Sequence, residues 1–229
     1  LGISDPIMNY YMEDILNAVG NLPEGFTMTF PEYTPADILL ASTGQFQSIG
    51  LIVLVILAAG MVNRERQNGT ALFLYVRPIS FTALFFSKWA VINLLAVLSV
   101  ILGYGASMYY TAILYGTVKP LLFIQMVASY CVWIFFATTI ALMFSAMFNT
   151  VLSITFTVII LPIGVLIQSL IGQFWNVSPW KLADYSVQLL TQSENEYYLK
   201  TLLLTILFTV IFMIIGVLFT RKNASTVKI

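Results

Sequence analysis

The chain has 229 residues, 59% of them hydrophobic and 9% charged, and its ten basic residues balance ten acidic ones. At a mean hydropathy of +0.92 the composition excludes a soluble domain, which could not shield so much apolar surface from water. The lack of histidine excludes His-based metal sites and Ser-His or Cys-His nucleophile pairs, and the lone Cys131 excludes a disulfide framework.

Residues 1–45 read as an extramembrane segment holding an amphipathic helix at 6–19. Ser4 or Asp5 can cap it, Pro6 suits its first turn and Gly20 can end it. Ile7, Met8, Tyr11, Met12, Ile15, Leu16 and Val19 share one face, while Asn9, Glu13, Asp14 and Asn17 share the other. Such a helix either packs on the outer ends of the spans or acts as a lid that touches substrate. A second start signal, Thr34-Pro35, leads towards the first span.

Uncharged runs then cover 38–63, 89–118, 120–180 and 201–220. A spanning helix needs about 20 mostly apolar residues, so the third run holds two, with a turn at Asn149 and Thr150. Five spans are predicted, at about 46–62, 89–115, 121–148, 151–174 and 201–220. They are helical, because lipid-facing strands would alternate in polarity and these runs do not. Ala137, Ala141 and Ser145 repeat at four-residue spacing, the pattern that lets helices approach closely in lipid. Pro162, with Gly164 beside it, predicts a kink in the fourth span. Residues 176–199 are too polar to span. The stripe of Trp180, Ala183, Val187 and Leu190 marks an interfacial or half-inserted helix.

Orientation follows from charge. With the C-terminus in the cytoplasm, Arg64, Arg66, Arg77, Lys88, Arg221, Lys222 and Lys228 all lie inside, and only Lys119, Lys181 and Lys200 lie outside. Glu65 is then the one acidic residue inside, and residues 1–45 lie outside. A helix preceding Leu1 would give six spans with both ends in the cytoplasm. The expected fold is all-α: a polytopic helical membrane protein, five spans visible of an expected six.

The cytoplasmic charge gathers in 63–88, between the first two spans. Asn68-Gly69-Thr70 breaks the descending helix, 71–76 can form a short helix along the membrane surface, and Arg77-Pro78 stops it. Ser80 and its neighbours restart the next helix, which meets the bilayer at the anchor pair Lys88-Trp89. The result is a stiff bracket that offers Leu72, Tyr75 and Val76 to a partner. Its simpler reading is a basic loop that only sets topology.

This segment resembles the permeases of type-2 ABC transporters, exporter class. The likeness lies in the acidic-basic pair Glu65-Arg66, the Gly69-Thr70 step, the apolar run 72–76, Pro78-Ile79-Ser80 and the lysine Lys88 that opens the next span. It is specific over about 26 residues and extends loosely to the spans and the outer helical segment before the last one. The resemblance implies a coupling helix seated on an ATP-binding subunit, with Glu65, Arg66, Gly69, Thr70, Leu72, Tyr75, Val76 and Arg77 as docking residues. It also implies a second permease copy, most simply a homodimer, in the plasma membrane of a prokaryote. The sequence holds no Gly-x-x-x-x-Gly-Lys-Ser/Thr loop, so ATP and Mg belong to the partner. The chain itself is expected to be no enzyme, to carry no cofactor and to bind no nucleic acid, with membrane lipid as its surroundings. Two further readings stay open: a non-transporting sensor or immunity subunit of the same fold, and an ion-coupled carrier. Against the carrier, no Asp, Glu, Lys or Arg lies inside a predicted span. A membrane enzyme is disfavoured by the lack of His-Glu-x-x-His and Gly-x-Ser-x-Gly motifs.

Overall fold

Backbone groups in lipid must be satisfied within the chain, and long apolar runs meet that demand as helices. The computed structural model describes residues 2–12, 15–16, 33–67, 80–172, 174–191 and 195–225, with the side chains of 62–67, 81 and 223–225 outside that description. Among the described residues every regular element is helical. Five helices are long and apolar enough to cross a membrane, over Pro35–Met61, Thr82–Leu114, Pro120–Met147, Thr150–Ile171 and Tyr198–Lys222. Consecutive helices alternate in direction, so all the turns fall at two ends. The end that carries Ser80, Asn149 and Arg221 is called the basic end below, and the other the far end.

At the far end, α1 (Ser4–Tyr10) starts without a side-chain cap. Ser4 and Asp5, read as caps from the sequence, turn instead to Gln45: the Ser4 hydroxyl donates to Gln45 Oε1 at 3.1 Å, and Gln45 Nε2 donates to the Asp5 carboxylate. Asp5 and Pro6 are buried while Met8, Tyr11 and Ile15 are exposed. Part of the apolar face predicted for 6–19 therefore points away from the bundle, while Ile7, Met12 and Leu16 of the same face are half-buried, and its far boundary at Val19 lies outside the described residues. Burial pushes the Asp5 carboxyl above its usual range, and hydrogen bonds from Ser42 and Gln45 oppose the shift.

The first crossing rod is longer than composition suggests. Thr34 caps α2 (Pro35–Gln45) with a full capping box to Asp37, and Pro35 fills its first turn. A π-turn at Phe46–Gly50 then joins α2 to α3 (Leu51–Gln67) without a break. At the basic end α4 (Phe81–Leu114) begins on Ser80, whose hydroxyl accepts from Ala83 N–H at 3.1 Å. α5 (Pro120–Met147) returns. Asn149 makes the predicted tight turn by capping α6 (Thr150–Ile171), accepting from Leu152 N–H at 2.9 Å. Pro162 lies inside α6.

The polar stretch before the last span is a dip into the bundle. It comprises a 3-10 turn at Pro179–Lys181, α7 (Leu182–Gln188) and another 3-10 turn at Leu189–Thr191. Leu182, Ala183, Val187 and Leu190 pack into the core, and the Trp180 ring meets Phe136 of α5 edge-on at 5.4 Å. The last span is α8 (Tyr198–Ser225).

α5 is the hub. It touches α3, α4, α6, α7 and α8, and its inward residues Phe136, Ala137, Thr138, Ile140 and Ala141 are buried to within a few per cent. The small-residue row at Ala137, Ala141 and Ser145 is thus consumed within the chain.

Gly164 is where the dip needs a missing side chain. A Cβ there would lie 2.0 Å from Trp180 Nε1, which donates to the Leu161 carbonyl at 3.2 Å beside the proline. Gly164→Ala should expel the indole and lower stability by about 1–3 kcal/mol. In Trp180→Ala the same change should cost far less, because the clash has gone. Thermal unfolding of the two single variants and the double variant checks this; additive losses would contradict it.

Candidate functional site

The docking residues inferred from the sequence fall at the edge of what the structure describes. Glu65 and Arg66 lie on the last turn of α3, with backbone helical to Gln67. Their side chains, and all of Gly69, Thr70, Leu72, Tyr75, Val76 and Arg77, lie outside the described residues. What is described is the pair of helix ends from which the bracket hangs.

Those ends are tied together. Lys88 Nζ, two turns into α4, donates to the Met61 carbonyl of α3 at 2.7 Å. Two residues deeper on α3, the Ser145 hydroxyl of α5 donates to the Ala59 carbonyl at 2.6 Å. Next to the lysine, Trp89 Nε1 donates to Thr139 Oγ1 of α5 at 2.8 Å. A ring of three side-chain bonds therefore joins α3, α4 and α5 within about 10 Å along the helices of the bracket. Sequence reasoning saw Lys88 and Trp89 as interfacial anchors. Their specific partners carry no local signal, since each lies 27 or more residues away in the chain.

Farther from the basic end, the π-turn of the first rod faces the proline of α6. On one side is the π-turn Phe46–Gly50, where Leu51 N–H reaches back five residues to the Phe46 carbonyl. On the other is the proline of α6. Between them lies a cleft of about 390 Å³, lined by Gln47, Ser48, Leu51, Trp133, Pro162 and Val165 among others. π-Turns recur at functional sites because they widen a helix and re-aim its side chains. A second cleft of about 330 Å³ lies on the other flank of the π-turn, lined by Phe46, Gly50, Leu54, Val100 and Tyr130 among others.

Two donors on α5 serve these clefts. Trp133, 3% exposed, lines the first and Tyr130, fully buried, lines the second; their rings lie 5.6 Å apart. Neither the Trp133 indole N–H nor the Tyr130 hydroxyl has a protein partner among the described residues. An unpaired donor in an apolar wall is costly, and it is satisfied when water or an acceptor on a bound molecule reaches it. The arrangement suits an amphipathic molecule with a carbonyl or ether oxygen. It does not suit an ion, because no charged side chain lines either cleft and no metal-binding cluster occurs among the described residues. The sequence signals for these clefts were only Pro162 and the aromatic content; the π-turn had none.

Residues 26–165 match the profile of a family described as ABC-2 family transporter protein. Over 151 residues the chain is 27% identical to an uncharacterized transmembrane protein of Bacillus subtilis (strain 168), YxlG, a match that covers 66% of this chain and 58% of that protein. The chain thus spans less than two thirds of the relative's length. No solved structure matches.

The ring of bonds at the bracket is directly testable. Lys88→Met keeps the apolar stem and removes the donor, and Ser145→Ala removes the second tie. Each should cost about 1 kcal/mol or less in stability, the usual scale for hydrogen bonds between helices in lipid. Both should raise hydrogen exchange at the basic ends of α3 and α4 more than elsewhere. Exchange that is unchanged there, or raised uniformly over all five spans, would contradict the local role.

Proposed function

The chain belongs to the ABC-2 transporter family, a family of multi-pass membrane permeases, and from that premise we propose that it is the transmembrane subunit of an ATP-driven exporter. Two copies form the path, and each binds a separate ATP-binding subunit at its basic end. In this reading the basic end is cytoplasmic, in a prokaryotic plasma membrane, with the residues ahead of Pro35 outside and 35–45 within the first span. The excess of Lys and Arg over acidic residues at that end supports this orientation.

The observation that carries the reading is the bond from Lys88 to the Met61 carbonyl beside the bracket. A docking segment does work on a membrane domain only if its displacement reaches several helices together. With α3, α4 and α5 cross-tied, a push on residues 65–77 moves the three as one body. The π-turn at 46–50 and Pro162 stand on the two sides of one cleft, so a push carried along the rod changes the width of that cleft. Switching between two packed arrangements in this way is the ordinary repertoire of ligand-driven membrane machines. The cargo that fits the cleft is amphipathic and uncharged where it meets the wall.

Glu65 and Arg66 are the proposed contacts to the ATPase, with Gly69, Thr70, Leu72, Tyr75, Val76 and Arg77 completing the dock. Replacing Glu65 and Arg66 together by alanine in the full-length protein, reconstituted with its ATPase, should lower export by about tenfold, an ordinary size for coupling between two sites. ATP hydrolysis should continue. Export at the unaltered rate would reject the docking assignment. ATPase activity with no export by either form would favour a sensor or immunity role instead.

A further inference from the structure

A third groove lies on the outside of the bundle, between the basic ends of α4 and α8. Thr82 and Phe86 line it from α4, and Val210, Met213, Ile214 and Leu218 line it from α8, around a volume of about 330 Å³. Beside it the Phe85 ring is buried and seated against Gly216, where a Cβ would lie 2.5 Å from the ring, which holds α4 and α8 together. Phe86, Val210, Ile214 and Leu218 are all more than 40% exposed. The groove runs from Val210 to Leu218, about 12 Å along the helix, which is most of the ~15 Å depth of one leaflet's hydrocarbon.

The mouth of this groove is positive. Arg221 follows Val217 by four residues and Leu218 by three, so it stands on the same face of α8 one turn beyond the apolar wall. Lys222 comes next, and both are exposed. Opposite them is the start of α4, where Ser80 takes the Ala83 N–H and the positive end of the helix dipole adds to the basic charge. Residues 80–100 and 201–229 contain no acidic side chain. An apolar slot closed at one end by basic side chains and a helix N-terminus is complementary to a molecule with a long tail and an anionic head.

We propose that this groove binds an anionic phospholipid, with one acyl chain along α8 between Phe86 and Ile214 and its phosphate held by Arg221 beside the first turn of α4. The alternative occupant, a second copy of the chain, fits poorly. Helices that associate in lipid do so through small residues. This wall is Val, Ile, Leu, Met and Phe with Thr82 as its single small residue, and the nearby Gly216 already receives Phe85. Anionic lipids of the cytoplasmic leaflet are the natural source of such a head group. The site adjoins α4 where the bracket attaches, so its occupancy would bear on the set of the docking segment.

The test is lipid retention by the full-length protein in mild detergent, read by native mass spectrometry and thermal shift. Phosphatidylglycerol is compared with phosphatidylcholine of the same acyl chains. Tighter binding of phosphatidylglycerol is expected. Arg221→Gln should weaken it by about fivefold, the effect of one basic residue at an anionic surface, and leave phosphatidylcholine unchanged. Ile214→Trp, which fills the slot, should weaken both. Equal binding of the two lipids, or an Arg221→Gln variant that keeps the anionic preference, would overturn the proposal. So would an Ile214→Trp variant that loses a dimer while retaining its lipid. Should Ile214→Trp fail to fold, Arg221→Gln decides alone, since that residue lies exposed near the end of α8 and outside the core.

Discussion

In hydrocarbon a hydroxyl or amide that lacks a partner cannot borrow one from solvent, and α5 meets this constraint against four neighbours, α3, α4, α6 and α8. Thr138 donates to Asn93 of α4, and Thr139 accepts from Trp89 of the same helix. Ser145 donates to the Ala59 carbonyl of α3, Ser129 shares a hydrogen bond with the Tyr198 hydroxyl of α8, and the Phe144 carbonyl accepts from Ser153 of α6. Each such bond is worth only about 0.6 kcal/mol on average, too little to account for assembly. Their effect is on register. Apolar faces slide past one another at little cost, whereas a paired hydroxyl fixes which residue of α5 faces which residue of its neighbour.

That division of labour shapes the proposed mechanism. Three of the bonds lie near the basic end and bind α3, α4 and α5 where the docking bracket is attached. Towards the far end the contacts change character. The segment 179–191 dips beside α5, with Trp180 against Phe136 and the Gly164 backbone, and Tyr130 and Trp133 keep donors unpaired beside the clefts. The docking end is cross-tied, and the π-turn and unpaired donors lie farther along, next to the Ser42–Ser107 and Tyr104–Thr43 bonds that join α2 to α4, so a push received at the first is passed along the rod to the clefts. The proposed lipid groove between α4 and α8 adds a bilayer component at the same receiving end.

How much of this was legible depended on whether the feature was local. The spans, the Thr34, Ser80 and Asn149 helix starts and the apolar stripe by which 179–191 packs into the bundle follow from charge gaps, capping residues and a short apolar pattern, all read within a few residues. Helix α1 was legible as a helix and as a contact on the outer ends of the spans, but not in the face it uses. Periodicity reports which face is apolar, but beside a membrane an apolar face need not turn inward, and Met8, Tyr11 and Ile15 do not. The π-turn left no trace, because one extra residue per turn does not alter an uncharged run. The hub was partly legible in hindsight: α5 carries Ser129, Thr138, Thr139 and Ser145 on a helix no more apolar than the rest. In lipid such residues mark the inside, since hydropathy does not separate lipid from protein interior. Which helix each hydroxyl would meet was not legible, because those pairings join residues up to 86 apart.

The central claim is that residues 65–77 seat on an ATP-binding subunit. The most direct measurement places a photo-crosslinking side chain at Tyr75 in the full-length protein, irradiates native membranes, and identifies what becomes attached. The account predicts one dominant adduct, a polypeptide with a nucleotide-binding Gly-x-x-x-x-Gly-Lys-Ser/Thr loop. Adducts to lipid alone, or to a protein without such a loop, would contradict it and leave the bracket as a loop that sets topology.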